Sequence, residues 1–214
     1  MMVKHHLPDE YLMAYSAGIL SESFSLVVAA HVSLSDDSRA RMEAYDAVGG
    51  AVLDSAPVAN LSDGSLQATL DRIMGAPAGP SADEPIGQGA FPAPLQEYVG
   101  GDLDAVKWRS VGMGVKQAIL KKDGSTSVRL LYIPKGMAMP DHSHGGLEMT
   151  LVLQGAYRDD DGEFHRGDIE VANDETQHTP VAFGPEDCIC LTATDARLKF
   201  TSILPRLAQP FLQI

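Results

Sequence analysis

Three candidate metal ligands lie close together in the middle of the chain and restrict how this segment can fold. His142 and His144 are two residues apart and Glu148 follows them, in a segment flanked by Gly136 and Gly155. Because side chains alternate faces along an extended strand, residues an even number of positions apart can point to the same side. Two neutral imidazoles and one carboxylate suit zinc, iron, manganese, nickel or copper. The spacing therefore predicts a metal site on β-structure, with a fourth ligand elsewhere in the chain.

This spacing, with its flanking glycines, resembles the first signature motif of the cupins, which are small antiparallel β-barrels. The resemblance implies a metal held by three histidines and one glutamate, the last histidine coming from a second motif. Gly167 leads a segment that reaches His178 at the family's spacing, although Asn173 and Glu175 replace its usual proline and glycine and Ala182 its asparagine. The implied ligands of a divalent metal, with zinc as the expected ion, are His142, His144, Glu148 and His178. The alternative is a barrel that keeps these positions but stays empty or holds adventitious nickel.

Proline and small residues divide the chain into two regions of different periodicity. Five of the thirteen prolines lie between residues 75 and 94, which predicts a linker over residues 76–95. Before it, helical spacing of apolar residues predicts helices at about 7–20, 21–31, 36–48 and 65–74, and the third can continue to residue 53 despite two glycines at 49 and 50. After it, short strands between Gly, Asp and Pro turns favour a sandwich or barrel. These strands are predicted at 106–108, 115–120, 127–133, 148–153, 155–158, 162–165, 168–171, 188–193 and 198–204.

The expected fold class is therefore α+β and multidomain. A small N-terminal helical domain at 1–75 precedes the linker, and an all-β cupin barrel follows at 96–214. The net charge of -13 disfavours direct binding to nucleic acid and favours a basic protein partner. No apolar run approaches the roughly 20 residues of a membrane span, and the N-terminus lacks the apolar region of a secretory signal. With only two cysteines, Cys188 and Cys190, the chain suits a reducing compartment, and we expect it in the cytoplasm.

A second constellation in the helical region consists of His6, His31, Ser35 and Ser38. Its spacing, His-x3-Ser-x2-Ser, resembles the zinc-binding anti-sigma factors, which have cysteines where this chain has Ser35 and Ser38. Together with the linker and one C-terminal cupin domain, it resembles the ChrR subfamily over nearly the whole chain. The resemblance implies that the helical domain binds an extracytoplasmic-function sigma factor and occludes its RNA polymerase surface. It also implies that the cupin domain responds to singlet oxygen or related oxidants.

The two serines change the expected chemistry of the helical site. A serine hydroxyl stays protonated near neutral pH and is a poor zinc ligand, whereas a thiolate binds zinc at about 2.3 Å. We therefore do not expect a second zinc at His6 and His31, unless Asp36 or Asp37 replaces a thiolate. In the alternative interpretation, His31 is a cation that ends an apolar helix favourably and His6 is an ordinary residue before a helix. Without zinc, the helical domain should depend on the cupin domain or a partner for stability.

Two classes of function remain open. The first is an anti-sigma factor with a metal-binding cupin domain, for which Leu66, Leu70 and Ile73 on the fourth helix are the candidate sigma-contacting residues. These residues could instead fill the domain's own core or form a homodimer interface. The second is a cupin metalloenzyme of the dioxygenase kind, with an open metal position for substrate or oxygen. Folding could then bring Asp141, Glu170 or Tyr157 close to the metal. A helical domain and linker serve a regulator but not an isolated enzyme, so we favour the anti-sigma factor.

Overall fold

The computed structural model of the protein describes residues 3–76 and 89–200, with helices first and strands after them. The helices are α1 (Asp9–Ser16), α2 (Glu22–Leu34), α3 (Asp36–Asp54), α4 (Ser65–Gly75) and α5 (Ala93–Val99), followed by a 3₁₀ turn (Leu103–Ala105). The strands are β1 (Arg109–Gly112), β2 (Val115–Asp123), β3 (Thr126–Ile133), β4 (His142–Ser143), β5 (Glu148–Gln154), β6 (Ala156–Arg158), β7 (Glu163–His165), β8 (Ile169–Ala172), β9 (Gln177–His178), β10 (Val181–Phe183), β11 (Cys188–Thr194) and β12 (Lys199–Phe200). This order confirms the predicted fold class.

Antiparallel strands build the β-region as one large and two small sheets. The large sheet has the order β1-β2-β3-β11-β5-β8, and the small ones have the orders β10-β6-β7 and β12-β4-β9. Strand β11 is buried on both faces. Its Cys188 and Cys190 join a cluster inside the barrel, whereas Ile189 and Leu191 join the cluster that contains the helices. The large sheet therefore separates two hydrophobic layers, with the barrel interior on one side and the helices on the other.

Helix α2 lies against strands β3, β5 and β11 of the large sheet. Leu7, Val27 and Phe91 are fully buried in the cluster that the helices share with the sheet. The end of the segment predicted to be a linker takes part in this packing, because α5 begins at Ala93 and Leu95 is also fully buried. Residues 77–88 of that segment lie outside the described residues. The division into domains stays a prediction. One hydrophobic cluster contains residues from both the helical region and the barrel.

Hydrogen bonds join the N-terminal segment to the barrel ahead of β8. The amides of Lys4 and His5 donate to Asp168 Oδ1 at 2.6 and 2.9 Å, and the amide of Ile169 donates to the carbonyl of His5 at 3.1 Å. On the same side, Arg166 donates to the carbonyl of Ala90 at 2.5 Å. These bonds hold the N-terminal segment and the segment before α5 on the turn that precedes β8.

Several predicted limits are wrong for local reasons. Helix α1 ends at Ser16 rather than near residue 20, because Gly18 adopts the left-handed conformation with φ +70°. Helix α2 continues past His31 to Leu34. The segment 106–108 is not a strand, and β1 begins after it at Arg109. Of the predicted strand 198–204, the described residues form only the short β12, and residues 201–204 lie outside them.

Candidate metal centre

Three of the four cupin-like ligands meet inside the barrel. His142 in β4 and His178 in β9 are directly opposite each other in the antiparallel pair formed by these two strands. His144 follows β4 on the same side as His142. The Nε2 atom of His178 lies 3.2 Å from that of His142 and 3.3 Å from that of His144. Sequence positions far apart are thus brought together by the pairing of two strands of two residues each.

These distances fit a tetrahedral metal ion. With Zn–N bonds of about 2.0–2.1 Å, tetrahedral geometry places two ligand nitrogens about 3.3–3.4 Å apart. The buried His144 Nδ1 has no hydrogen-bond partner, and the nearby Glu148 Oε2 is 3.6 Å from it. Among the described residues, a group of donor atoms suitable for a metal contains His142, His144 and His178 but not Glu148. Glu148 lines the same cavity as His142 and His178, and its role as fourth ligand stays a prediction.

Hydrogen bonds behind two of the histidines fix which nitrogen faces the centre. His142 Nδ1 is 2.8 Å from the carbonyl oxygen of Pro140, so Nδ1 carries the proton and donates it. His178 Nδ1 lies 2.9 Å from Asp159 Oδ2 and 3.0 Å from Glu170 Oε1. The Tyr157 hydroxyl donates to the other oxygen of Glu170 at 2.6 Å. Such second contacts orient imidazole ligands and raise their basicity towards a metal.

The electrostatic surroundings differ among the predicted ligands. Burial lowers the pKa of His142. Burial also acts to lower the pKa of His178, but the hydrogen bonds and charges of Glu170 and Asp159 outweigh it and raise the pKa to about 9. For Glu148, burial acts to raise the pKa, while the neighbouring histidines outweigh burial and lower it. The carboxylate form of Glu148 favours a bound cation, whereas the basic His178 must release a proton when a metal binds.

Of the residues that folding could bring near the metal, the structure places Glu170 against His178 and Tyr157 against Glu170. It does not do so for Asp141, whose carboxylate accepts hydrogen bonds from Gln177 at 3.0 Å and Thr179 at 3.4 Å. Asp159 was missed, because it lies after β6 in an acidic turn where the sequence indicates only solvent-exposed charge. One signal was available in the sequence: Asp159 directly follows the predicted strand at 155–158. In the structure, β6 at this position pairs with β10, which comes soon after His178.

The His–Ser cluster of the helical region forms a hydrogen-bond network. His31, Ser35 and Ser38 are buried. His6 Nδ1 is 3.2 Å from Ser35 Oγ, and His31 Nε2 is 2.9 Å from Ser38 Oγ. Ser35 also accepts from the amide of Ser38 at 3.2 Å as the N-cap of α3. The four residues are therefore neighbours, as the spacing indicates, but both hydroxyls are engaged as hydrogen-bonding groups.

A second network fixes the state of His31. Its Nε2 accepts from the amide of Leu7 at 3.4 Å, and its Nδ1 is 3.0 Å from the carbonyl oxygen of Gly167. Nδ1 therefore carries the proton of a neutral ring. Burial lowers the pKa of His31 to about 4. The interpretation of His31 as a cation at a helix end is wrong, because the ring is buried against the barrel rather than exposed near the end of α2.

The donor set of this cluster does not fit a structural zinc. Two imidazoles and two neutral hydroxyls lack the thiolates that hold such an ion. Asp37 Oδ2 is 3.7 Å from His6 Nδ1, and Asp36 instead pairs with Arg39. Among the described residues, no group of potential metal ligands includes His6 or His31.

The predicted partner-binding residues lie on a helix that buries none of its side chains. Leu66 and Ile73 of α4 are 72% and 66% exposed, and Leu70 is 42% exposed. They therefore do not fill the core of the helical region, which was one of the alternatives. Among the described residues, no helix has the length and hydropathy required to cross a membrane.

Comparison with known proteins gives relatives over the full length of the chain. The family model of the ChrR cupin-like domain matches residues 96–197. The anti-sigma-E factor ChrR of Cereibacter sphaeroides is 55% identical, with 100% of each chain covered. The crystal structure of Rhodobacter sphaeroides SigE in complex with the anti-sigma ChrR matches with a TM-score of 0.77 and 51% identity, over 91% of this chain and 100% of that chain. The protein belongs to the ChrR family of anti-sigma factors, which are regulators rather than enzymes.

Proposed function

We propose that this protein sequesters an extracytoplasmic-function sigma factor in the cytoplasm through an exposed apolar surface of α3 and α4. This docking surface is defined by Val48, Val52, Leu53, Leu66, Leu70 and Ile73. The proposal is supported by the solvent exposure of this docking surface. Each of these large apolar side chains is at least 42% exposed, although they follow one another along two consecutive helices. Exposed apolar side chains in this number on two consecutive helices indicate a protein-binding site.

The arrangement of α3 explains why this surface is free to bind a partner. The N-terminal part of α3 packs against α1 and α2, where Met42 and Tyr45 contact the core cluster. Beyond Tyr45, no residue of α3 is buried. The end of α3 and all of α4 thus project from the core with an apolar face that nothing in the described chain covers. The net charge of -13 would raise the rate of association with a basic sigma factor more than the affinity.

The proposal includes a zinc ion in the cupin centre, held by His142, His144, His178 and Glu148. When bound, this ion supplies a structural cross-link between three strands and a site whose ligands an oxidant can attack. Release of the sigma factor after exposure to singlet oxygen or related oxidants would begin there. A short segment links the two regions, because Glu170 contacts His178 while Gly167, three residues earlier, accepts from His31 in the helical region.

Binding can be tested with Rhodobacter sphaeroides SigE, the sigma factor of the solved complex, as the probe. The full chain is mixed with SigE and analysed by size-exclusion chromatography with light scattering. We expect a 1:1 complex, and we expect the double variant Leu66→Asp with Ile73→Asp to weaken binding by at least about 100-fold, as for loss of hot-spot residues. Met113→Asp is the matched control, since Met113 is 78% exposed but lies on the barrel.

Other occupants of the docking surface give different results in this assay. If the surface joins two copies of the chain, the protein alone elutes as a dimer, the double variant elutes as a monomer, and SigE does not co-elute. If the double variant binds SigE as well as the wild-type chain does, the sigma factor binds elsewhere and the assignment of the surface is wrong.

The oxidant response has its own test on the purified complex. A photosensitiser that generates singlet oxygen under illumination is added, and free SigE is measured over time. The proposal predicts release from the wild-type complex and slower release from the complex of His178→Ala. Equal rates of SigE release from the two complexes would show that the cupin centre takes no part in the oxidant response.

A further inference from the structure

The barrel contains a cavity of about 340 Å³ that extends from the metal centre. Its walls are apolar apart from the predicted ligands and a few polar side chains; Val111, Val115, Leu131 and Ile133 form much of them. The volume is at the lower end of the range of small-molecule sites. A cavity of this size with apolar walls can receive the chain of a small amphiphile.

One cavity-lining residue, Arg129, carries a buried charge that forms no ion pair at contact distance with a described carboxylate. Arg129 is only 6% exposed and lies on β3 two and four positions before Leu131 and Ile133, so all three face the cavity. Its guanidinium donates to Ser127 Oγ at 2.7 Å and to Gln117 Oε1 at 3.4 Å. Its Nε atom is buried with no hydrogen-bond partner. Burial lowers the pKa of the guanidinium more than the charge of Glu148, which acts from beyond ion-pair distance, raises it.

The acidic side chains of the cavity wall are engaged elsewhere. Glu170 contacts His178 and Tyr157, and Glu148 lies beside His144. Burial lowers the pKa of Arg129, but a guanidinium remains protonated in proteins. A buried guanidinium with an unsatisfied Nε and no contacting carboxylate is costly, which indicates that a hydrogen-bond acceptor from outside the chain completes its contacts.

We propose that this cavity binds a medium-chain monocarboxylate, with its carboxylate on Arg129 and its alkyl chain against Val111, Val115, Leu131 and Ile133. The planar guanidinium matches a carboxylate in two parallel hydrogen bonds. The apolar walls reward a hydrocarbon chain by roughly fourfold in affinity for each buried methylene group. The site is a property of the barrel and is independent of the partner of the helical region.

Octanoate is the probe, and isothermal titration calorimetry on the full-length protein is the measurement. The metal content of each sample is determined in parallel. We expect octanoate to bind with a Kd on the order of 10 to 100 µM. Octanol, which has the chain without the charge, and acetate, which has the charge without the chain, should both bind at least about 10-fold more weakly.

Two variants test separately the contributions of the ligand's carboxylate and of its alkyl chain. Arg129→Gln should weaken octanoate binding by about 10- to 100-fold and leave octanol binding unchanged, because only the carboxylate uses the guanidinium. Val111→Phe, at a half-buried position on the edge strand β1, should weaken both ligands by filling the cavity. Arg158→Gln, an exposed arginine on the same barrel, is the matched control and should bind octanoate as the wild-type chain does.

Two results would overturn the proposal. The first is the absence of octanoate binding up to about 2 mM by a wild-type chain that contains its metal, since such a Kd would be weaker than the cavity predicts. The second is octanoate binding that Arg129→Gln leaves unchanged while thermal unfolding shows the variant to be folded. In that case the carboxylate contacts the metal centre or the surface instead.

Discussion

Acidification should destabilise this protein through His31. The ring is fully buried between α2, the N-terminal segment and Gly167, and its pKa is about 4 in the folded chain against 6.5 in an unfolded one. Between these two values the unfolded chain binds a proton that the folded chain excludes. The free energy of unfolding therefore falls as the pH falls through this window and is unaffected above about pH 7.

The size of the effect follows from the two pKa values. At pH 5 the unfolded chain carries the proton on nearly every molecule, and the folded chain on few. The resulting loss is about 2 kcal/mol relative to pH 7.5, and it approaches about 3 kcal/mol below pH 4. Burial is the main cause, His6 and Arg41 lower the pKa further, and the Gly167 carbonyl and Asp168 act in the opposite direction.

Urea unfolding of the wild-type chain and of His31→Gln at pH 7.5 and pH 5 measures this contribution. The glutamine cannot be protonated, so the pH-dependent loss in the variant should be smaller by about 2 kcal/mol. The comparison cancels the titration of all other groups. His165→Gln, at a half-buried ring on β7, is the control and should show the full wild-type loss. A difference below about 0.5 kcal/mol between wild type and His31→Gln would refute the neutral, buried state of His31.

Three further predictions concern the metal centre, the His–Ser cluster and the hydrophobic cluster shared by the helices and the sheet. His178→Ala should reduce bound metal from about one ion per chain to less than about 0.1, measured by inductively coupled plasma mass spectrometry after dialysis; retention of the ion would show that His178 is not a ligand. The double change Ser35→Cys with Ser38→Cys should add a second zinc, because two thiolates complete a His₂Cys₂ set with His6 and His31. Ser33→Cys, at an exposed position on α2, should add none, and equal zinc content in the two variants would contradict the arrangement. Phe91→Ala should lower the free energy of unfolding by about 3–5 kcal/mol in urea titrations, whereas a loss below about 1 kcal/mol would show that Phe91 is not part of the core.

The cupin-like motif could be predicted because its constraints are local. Alternation along a strand puts His142 and His144 on one side without any knowledge of the rest of the fold. The pairing of β4 with β9 could not be predicted from periodicity, because two strands of two residues each carry no periodic pattern. The prediction of His178 as a ligand therefore relied on the family resemblance. The contact between Asp159 and His178 is seen only in the tertiary structure.

The linker prediction shows how composition can conceal a helix. Pro92 and Pro94 contributed to the expectation of an extended segment, yet they lie at the N-cap and in the first turn of α5, where proline is well tolerated. The burial of His31 was equally hidden, since the carbonyl that it contacts is 136 residues away in the sequence. Contacts of this range arise from packing of the helices on the sheet and leave no local signal.

Transcription in vitro measures whether the protein withholds the sigma factor from RNA polymerase. Core RNA polymerase and Rhodobacter sphaeroides SigE are combined on a SigE-dependent promoter, and the full chain is titrated into the reaction. The account predicts that transcription stops near one equivalent of the protein, that Leu66→Asp with Ile73→Asp restores it, and that a housekeeping sigma factor is unaffected. Undiminished SigE-dependent transcription at about a tenfold excess of the wild-type chain, with the free chain kept well above the Kd measured by binding, would contradict sequestration.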